Sequence, residues 1–171
     1  MAISRRSFLR LTLGTGLLFS SGYILKDVFM PAQLGAGERR TLGAYLDTLI
    51  PQDQTPGAVQ LGVPEKIFHA ASEDAQYRRL VRKGCRWLDL RARRMGRDGF
   101  TSLGEREREE VAEESAGAPA GSVPRIFFER TRAYAFFHYY AHPASWEGLG
   151  YKGPPQPDGY PDYTKPQSLL S

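Results

Sequence analysis

His138 and His142 stand four residues apart, a spacing at which two imidazoles share one helix face and can begin a zinc site. The residues between them are Tyr139, Tyr140 and Ala141, so the acid of an H-E-x-x-H site is missing, and Pro143 follows at once. His138 therefore reads first as a residue of an aromatic core or interface, with a metal or substrate site of a stand-alone exported domain as the alternative. Cys85 is the only cysteine, which excludes an intramolecular disulfide, a thioredoxin-like pair and a c-type haem attachment. Lys83 and Arg86 beside it would favour the thiolate, but no base or orienting group accompanies it. The thiol is either buried as a small apolar group or open to an intermolecular disulfide. Asp47, Asp53, Glu65 and Glu73 are scattered and read as solvated or capping carboxylates. Neither a phosphate-binding G-x-x-x-x-G-K nor a dinucleotide G-x-G-x-x-G in a βαβ setting occurs. No catalytic, cofactor-binding or metal residue is named by these patterns.

The elements that would position such residues are helical. Leu42, Tyr45, Leu46, Leu49 and Ile50 recur at helical spacing and predict a helix from Glu38 that Pro51 stops. A turn-rich loop, Pro51 to Gly57, leads to a short helix near Pro64 with Ile67 and Phe68 inward. The longest helix is expected from about Glu73 to Met95. Tyr77, Leu80, Val81, Gly84, Trp87 and Leu88 form its apolar stripe, and Arg78, Arg79, Arg82, Lys83, Arg86, Arg91, Arg93 and Arg94 its other faces. Ser102 to Glu105 reads as a capping box opening a glutamate-rich helix, and Arg125 to Tyr140 as a last helix with aromatics on more than one face. The arginine-rich and glutamate-rich helices are expected to neutralise each other through an ion-pair network, or the arginines to meet an acidic partner protein.

From His142 the chain changes in kind. Proline and glycine exclude regular structure there, yet Trp146, Tyr151, Tyr160 and Tyr163 are spaced through it. A solvated tail has little use for such residues, whereas an extended, polyproline-like strap laid on a folded surface would use them as anchors. No strand or internal repeat is evident, so the fold class is an all-α small helical domain with an irregular C-terminal strap.

At the other end, Ser4, Arg5, Arg6, Phe8 and Leu9 are in register with a twin-arginine export signal. The apolar run after it, 11–25, is broken by glycines and shorter than the roughly 20 residues of a membrane span. It is either cleaved or retained as a tether. This divides the chain into a signal (1–26), a linker (27–37), a helical domain (38–141) and the strap (142–171). Arg5, Arg6, Arg10 and Lys26 lie in the signal; without them the 23 basic residues fall to 19, matching 19 acidic ones. The net charge of +4 thus belongs to the signal, and a nucleic-acid partner is excluded on electrostatic grounds. A hydrophobic content of 41% is enough for a packed core.

Two segments carry a family resemblance. Leu46-Asp-Thr-Leu-Ile-Pro-Gln-Asp-Gln-Thr-Pro-Gly-Ala58, followed by Gly62-Val63-Pro64, is similar to an L-I-P-x-D-x-x-P-G-A segment. Tyr151-Lys-Gly-Pro-Pro-Gln-Pro-Asp-Gly-Tyr-Pro-Asp162 is similar to a G-P-P-Q-P-x-G-Y tail. With the twin-arginine start these resemble the gluconate 2-dehydrogenase subunit 3 family, the small subunit of bacterial membrane-associated flavin dehydrogenases. The resemblance implies a non-catalytic accessory subunit. Its partner would be a catalytic flavoprotein that carries FAD and oxidises a sugar, sugar acid or polyol. A cytochrome c subunit with haem c would be a third member. The small subunit would act as escort and stabiliser, presented to the Tat translocase and delivered to the periplasm or the periplasmic face of the inner membrane. Trp146, Tyr151, Pro154, Pro155, Tyr160 and Tyr163 are the expected partner contacts, with Cys85 as a candidate cross-link to the large subunit. The acidic helix around Glu105 to Glu114 and the short C-terminus leave that subunit's identity open.

Overall fold

In the computed structural model, residues 33–151 are described, and they fall in one compact unit that begins at Gln33. The export motif (Ser4, Arg5, Arg6, Phe8, Leu9) and Pro154, Pro155, Tyr160 and Tyr163 lie outside the described residues. Among the described residues five α-helices follow one another: α1 (Ala36–Leu49), α2 (Val63–Glu73), α3 (Ala75–Arg94), α4 (Glu105–Gly117) and α5 (Val123–Tyr140). Short 3-10 turns at Phe100–Ser102, Pro143–Ser145 and Glu147–Leu149 complete the order, and there is no strand among the described residues. The chain is all-α, as its periodicity predicts.

Helix α1 begins inside the stretch that reads as linker. Glu38 reaches back so that its Oε2 accepts from the Gly35 N–H at 2.7 Å, satisfying a donor that the helix itself leaves open. Just before it, Leu34 is buried in the core. Asp74 separates α2 from α3: its Oδ1 accepts from the N–H groups of Gln76 (2.7 Å) and Tyr77 (3.0 Å). Those bonds, the Tyr77 N–H first, hold the Asp74 carboxyl below its ordinary pKa. Arg78 closes the other side of this corner by donating to the carbonyls of Ala71 and Ser72. At α4 the cap is Gly104 with Glu107, whose Oε2 accepts from the Gly104 N–H at 2.8 Å. Ser102, the expected cap, is instead the last residue of a 3-10 turn that buries Phe100.

The core is built around Tyr45 of α1. Its ring stacks on Phe127 of α5 at 5.2 Å between centroids and meets Phe100 edge-on at 5.9 Å. Ser115 of α4 gives its hydroxyl proton to the Ala112 carbonyl at 2.6 Å, so at 2.7 Å the Tyr45 hydroxyl is the donor to Ser115 Oγ. Burial pushes the Tyr45 phenol up to about 12, which keeps that donor protonated. Behind Phe127 lies Gly84 of α3. A Cβ built there would fall 2.2 Å from Phe127 Cγ, so α3 and α5 can close only where α3 has no side chain.

The charged helices are joined more sparingly than the sequence suggests. Arg91 Nε donates to Glu114 at 2.7 Å and Arg97 Nη2 to Glu107 at 3.0 Å. Such surface pairs contribute about 1 kcal/mol at most, against about 1.5–3 kcal/mol for burying one Phe-sized side chain. Packing around Tyr45 and Phe127 therefore holds the body, and the ion pairs trim it. Substituting Gly84→Ala is expected to cost about 1–3 kcal/mol through overpacking. A melting temperature measured by circular dichroism should drop by several degrees; an unchanged value would show that the α3–α5 contact is not tight.

Candidate functional site

The turn between α1 and α2 has a physical reason for each of its marked residues. Pro51 ends α1, whose last N–H, that of Ile50, still bonds to the Leu46 carbonyl at 3.0 Å. Asp53 Oδ1 accepts from both the N–H (2.8 Å) and the hydroxyl (2.9 Å) of Thr55, an Asx-type turn that lowers the Asp53 pKa. The chain then folds back so closely that a Cβ on Gly57 would lie 2.7–2.8 Å from backbone atoms of Gln52, Ile50 and Pro51. Ala58, directly after it, donates to the Ile50 carbonyl at 2.9 Å and is buried. Gly62, at φ +69°, then turns the chain into α2.

This loop rests against the end of α5. The Thr55 and Tyr139 hydroxyls are 3.2 Å apart, and Leu49, Ile50, Pro51, Gln54, Phe136 and Tyr140 line a cleft of about 570 Å³ between the two segments. Tyr139 is buried, as α5 needs at each fourth position after Phe127, Thr131 and Ala135. The wet face of the same turns is aromatic. Phe137 is 71% exposed and Tyr140 47%, with Phe136 beside them and its ring 5.8 Å from that of Tyr140. Leu149 and Tyr151 extend the exposed apolar area beyond the helix. A run of large apolar side chains left in water on one rim is the mark of a contact surface.

Trp146 and Tyr151, expected on an extended strap, lie instead in compact turns. Residues 142–151 form two tight turns, not an extended chain. The Trp146 indole N–H donates to the Tyr140 carbonyl at 2.8 Å, capping the end of α5, and its ring meets Tyr151 edge-on at 5.2 Å. Trp146 is thus an internal anchor that presents Tyr151, which is half-exposed. The reason is the unsatisfied carbonyls at the helix end, for which an indole N–H is a ready donor.

His138 and His142 are occupied separately. The His138 ring lies 5.2 Å from Phe137 and 6.3 Å from Tyr134, and desolvation, then the nearby Lys66 charge, lowers its pKa. His142 Nδ1 accepts from the Ala144 N–H at 3.2 Å and caps the first 3-10 turn. Among the described residues no group of three His, Cys, Asp or Glu side chains is placed to hold a metal ion. Cys85 is 1% exposed on the core side of α3, and its thiol points at the Glu38 carbonyl, 3.6 Å away. Burial pushes the thiol pKa up, opposite to the lowering that Lys83 and Arg86 suggest, because both of those side chains lie on other faces. Of the two alternatives for Cys85, the structure shows the buried one in the free chain, where a partner sulfur would have to open the packing around α3 to reach it. Phe137, the most exposed aromatic among the described residues, carries no distinct sequence signal beyond the surplus of aromatics around α5.

A model of the gluconate 2-dehydrogenase subunit 3 family matches residues 36–153, which runs from the first residue of α1 past the end of the described turns. No curated protein and no solved structure matches the chain.

Two outcomes follow from these geometries. Gly57→Ala should destabilise the protein by about 1–3 kcal/mol, because the atoms in its way are backbone and cannot rotate aside; denaturant unfolding checks it, and an unchanged midpoint would contradict the close approach. Cys85 should react with a thiol reagent only at the rate of unfolding, and a non-reducing gel of the purified complex should show no cross-linked band.

Proposed function

The chain belongs to the gluconate 2-dehydrogenase subunit 3 family, a family of dehydrogenase-complex subunits, and from that premise we propose that it is the non-catalytic small subunit of an FAD-dependent dehydrogenase. It escorts the catalytic flavoprotein through the Tat route, stabilises it, and resides with it at the periplasmic face of the inner membrane. The substrate, a sugar, sugar acid or polyol, is recognised by the partner, and a cytochrome c subunit with haem c takes the electrons. The observation that carries this reading is the exposed, mostly aromatic rim of Phe136, Phe137, Tyr140, Leu149 and Tyr151, next to the Pro51–Gly57 loop. Aromatic side chains held rigidly at a rim and backed by a cleft are what interface hot spots are made of. Tyr160, Tyr163, Pro154 and Pro155 would extend the contact along the partner.

The test is co-purification of the C-terminally tagged chain from its native host, read by flavin absorbance and mass spectrometry. A stoichiometric flavoprotein is expected. Phe137→Asp should weaken its retention by about 2 kcal/mol or more while leaving the melting temperature of the free chain unchanged, since Phe137 supports no core contact. Full retention by that variant would remove the rim from the interface, and a colourless eluate from the wild type would remove the accessory-subunit reading.

A further inference from the structure

The outer face of α3 is used by neither the core nor the aromatic rim. At 3.6 residues per turn, Arg79, Lys83, Arg86, Leu90, Arg93 and Arg94 fall within one arc of about 100°. The buried residues Tyr77, Val81, Gly84, Cys85, Leu88 and Ala92 lie on the opposite side. No carboxylate falls in the basic arc, which runs about 22 Å along the helix. Lys83, Arg86 and Arg94 make no ion pair among the described residues, and Leu90, 43% exposed, sits at the centre of the stripe. At the helix start, the Arg79 charge adds to the hydrogen bonds from Tyr77 and Gln76 and to the Arg130 charge in lowering the Asp74 pKa. An internal ion-pair network does not account for these cations, since the glutamates of α4 engage Arg91 and Arg97 at its flank.

A second observation places the chain's entry point beside the stripe. Arg82, one position from Lys83, donates to the carbonyl of Gln33 at 2.8 Å and pairs with Glu38 at 3.4 Å. The polypeptide therefore enters the helical body on α3. Only residues 26–32 separate Gln33 from the end of the apolar run that closes at Leu25. Even fully extended, that stretch spans at most about 29 Å. A bilayer that holds the apolar run is then within reach of α3, and the face nearest the entry point is the one that is cationic with an apolar residue at its centre. Basic side chains around an exposed leucine are suited to anionic headgroups with shallow apolar insertion.

We propose that the Arg79–Lys83–Arg86–Leu90–Arg94 face of α3 is a docking surface for anionic phospholipid, which orients the helical body on the membrane. The surface acts through charge and is independent of whatever the aromatic rim binds. The test is flotation of the purified full chain with vesicles of phosphatidylcholine alone or mixed with phosphatidylglycerol, at low and high salt. The variants are the triple substitution Lys83→Gln, Arg86→Gln, Arg94→Gln and its charge-reversed form, with glutamate at the same three positions. All three side chains are exposed, so circular dichroism should show unchanged helicity for either variant. The wild type should prefer the phosphatidylglycerol vesicles, the preference should vanish at high salt, and the neutral variant should lose it about tenfold or more. Binding through the apolar run alone would leave wild type and variants equal on both vesicles, which overturns the proposal. Equal vesicle binding, with loss of the copurifying partner in the charge-reversed variant, would assign the stripe to an acidic protein surface instead and likewise overturn it.

Discussion

Phe127 can lie flat between Tyr45 and α3 only because residue 84 of α3 has no side chain. That close approach brings α3 and α5 together, and the stacked pair then fixes α1 against both. The remaining elements are added to this contact. Phe100 closes one edge of the aromatic cluster. Ser115 ties α4 to the Tyr45 hydroxyl, and Asp89 of α3 accepts from Thr41 of α1 at 3.2 Å and from the Phe100 N–H at 3.1 Å. Each of these polar links is worth about 1 kcal/mol net, so they select an arrangement that apolar burial makes stable.

The consequence reaches the aromatic rim. With Phe127, Thr131 and Ala135 committed to the core, the helical period forces Tyr139 inward, where its hydroxyl meets Thr55 of the loop. Phe136, Phe137 and Tyr140 are then turned to water by the same period. The loop and the rim are thus two results of one packing decision made a few turns earlier. Trp146 completes the arrangement by capping α5 and carrying Tyr151 to the edge of the same region. A rigid body with an aromatic rim at one place and a cationic helix face at another can meet two different surfaces at once.

The helices were legible because their apolar residues repeat at 3.6, as Leu42, Tyr45 and Leu46 do in α1. The start of α1 was not, because Gly35-Ala36-Gly37 looks like a linker until the Glu38 side chain is seen to cap it. The ion-pair network was overestimated for a related reason. Charge sign along a helix is visible in a sequence, but which arc faces a neighbour depends on where Gly84 and Phe127 set the crossing. The same unknown rotation concealed which of the aromatics in α5 are exposed, and turned Cys85 inward although cations flank it in sequence. In the strap, proline content excluded long helices but not the two short turns, each held by two bonds: Ser145 N–H to His142 and Trp146 N–H to Pro143 in the first, Leu149 N–H to Trp146 and Gly150 N–H to Glu147 in the second.

The most direct test of the account is amide hydrogen exchange on the full chain, free and in complex with the copurifying flavoprotein. Added protection confined to the Ile50–Thr55 loop and to 136–151, with α3 unchanged, is the predicted result. Protection centred on α3 or α4, with 136–151 exchanging as in the free chain, would contradict it.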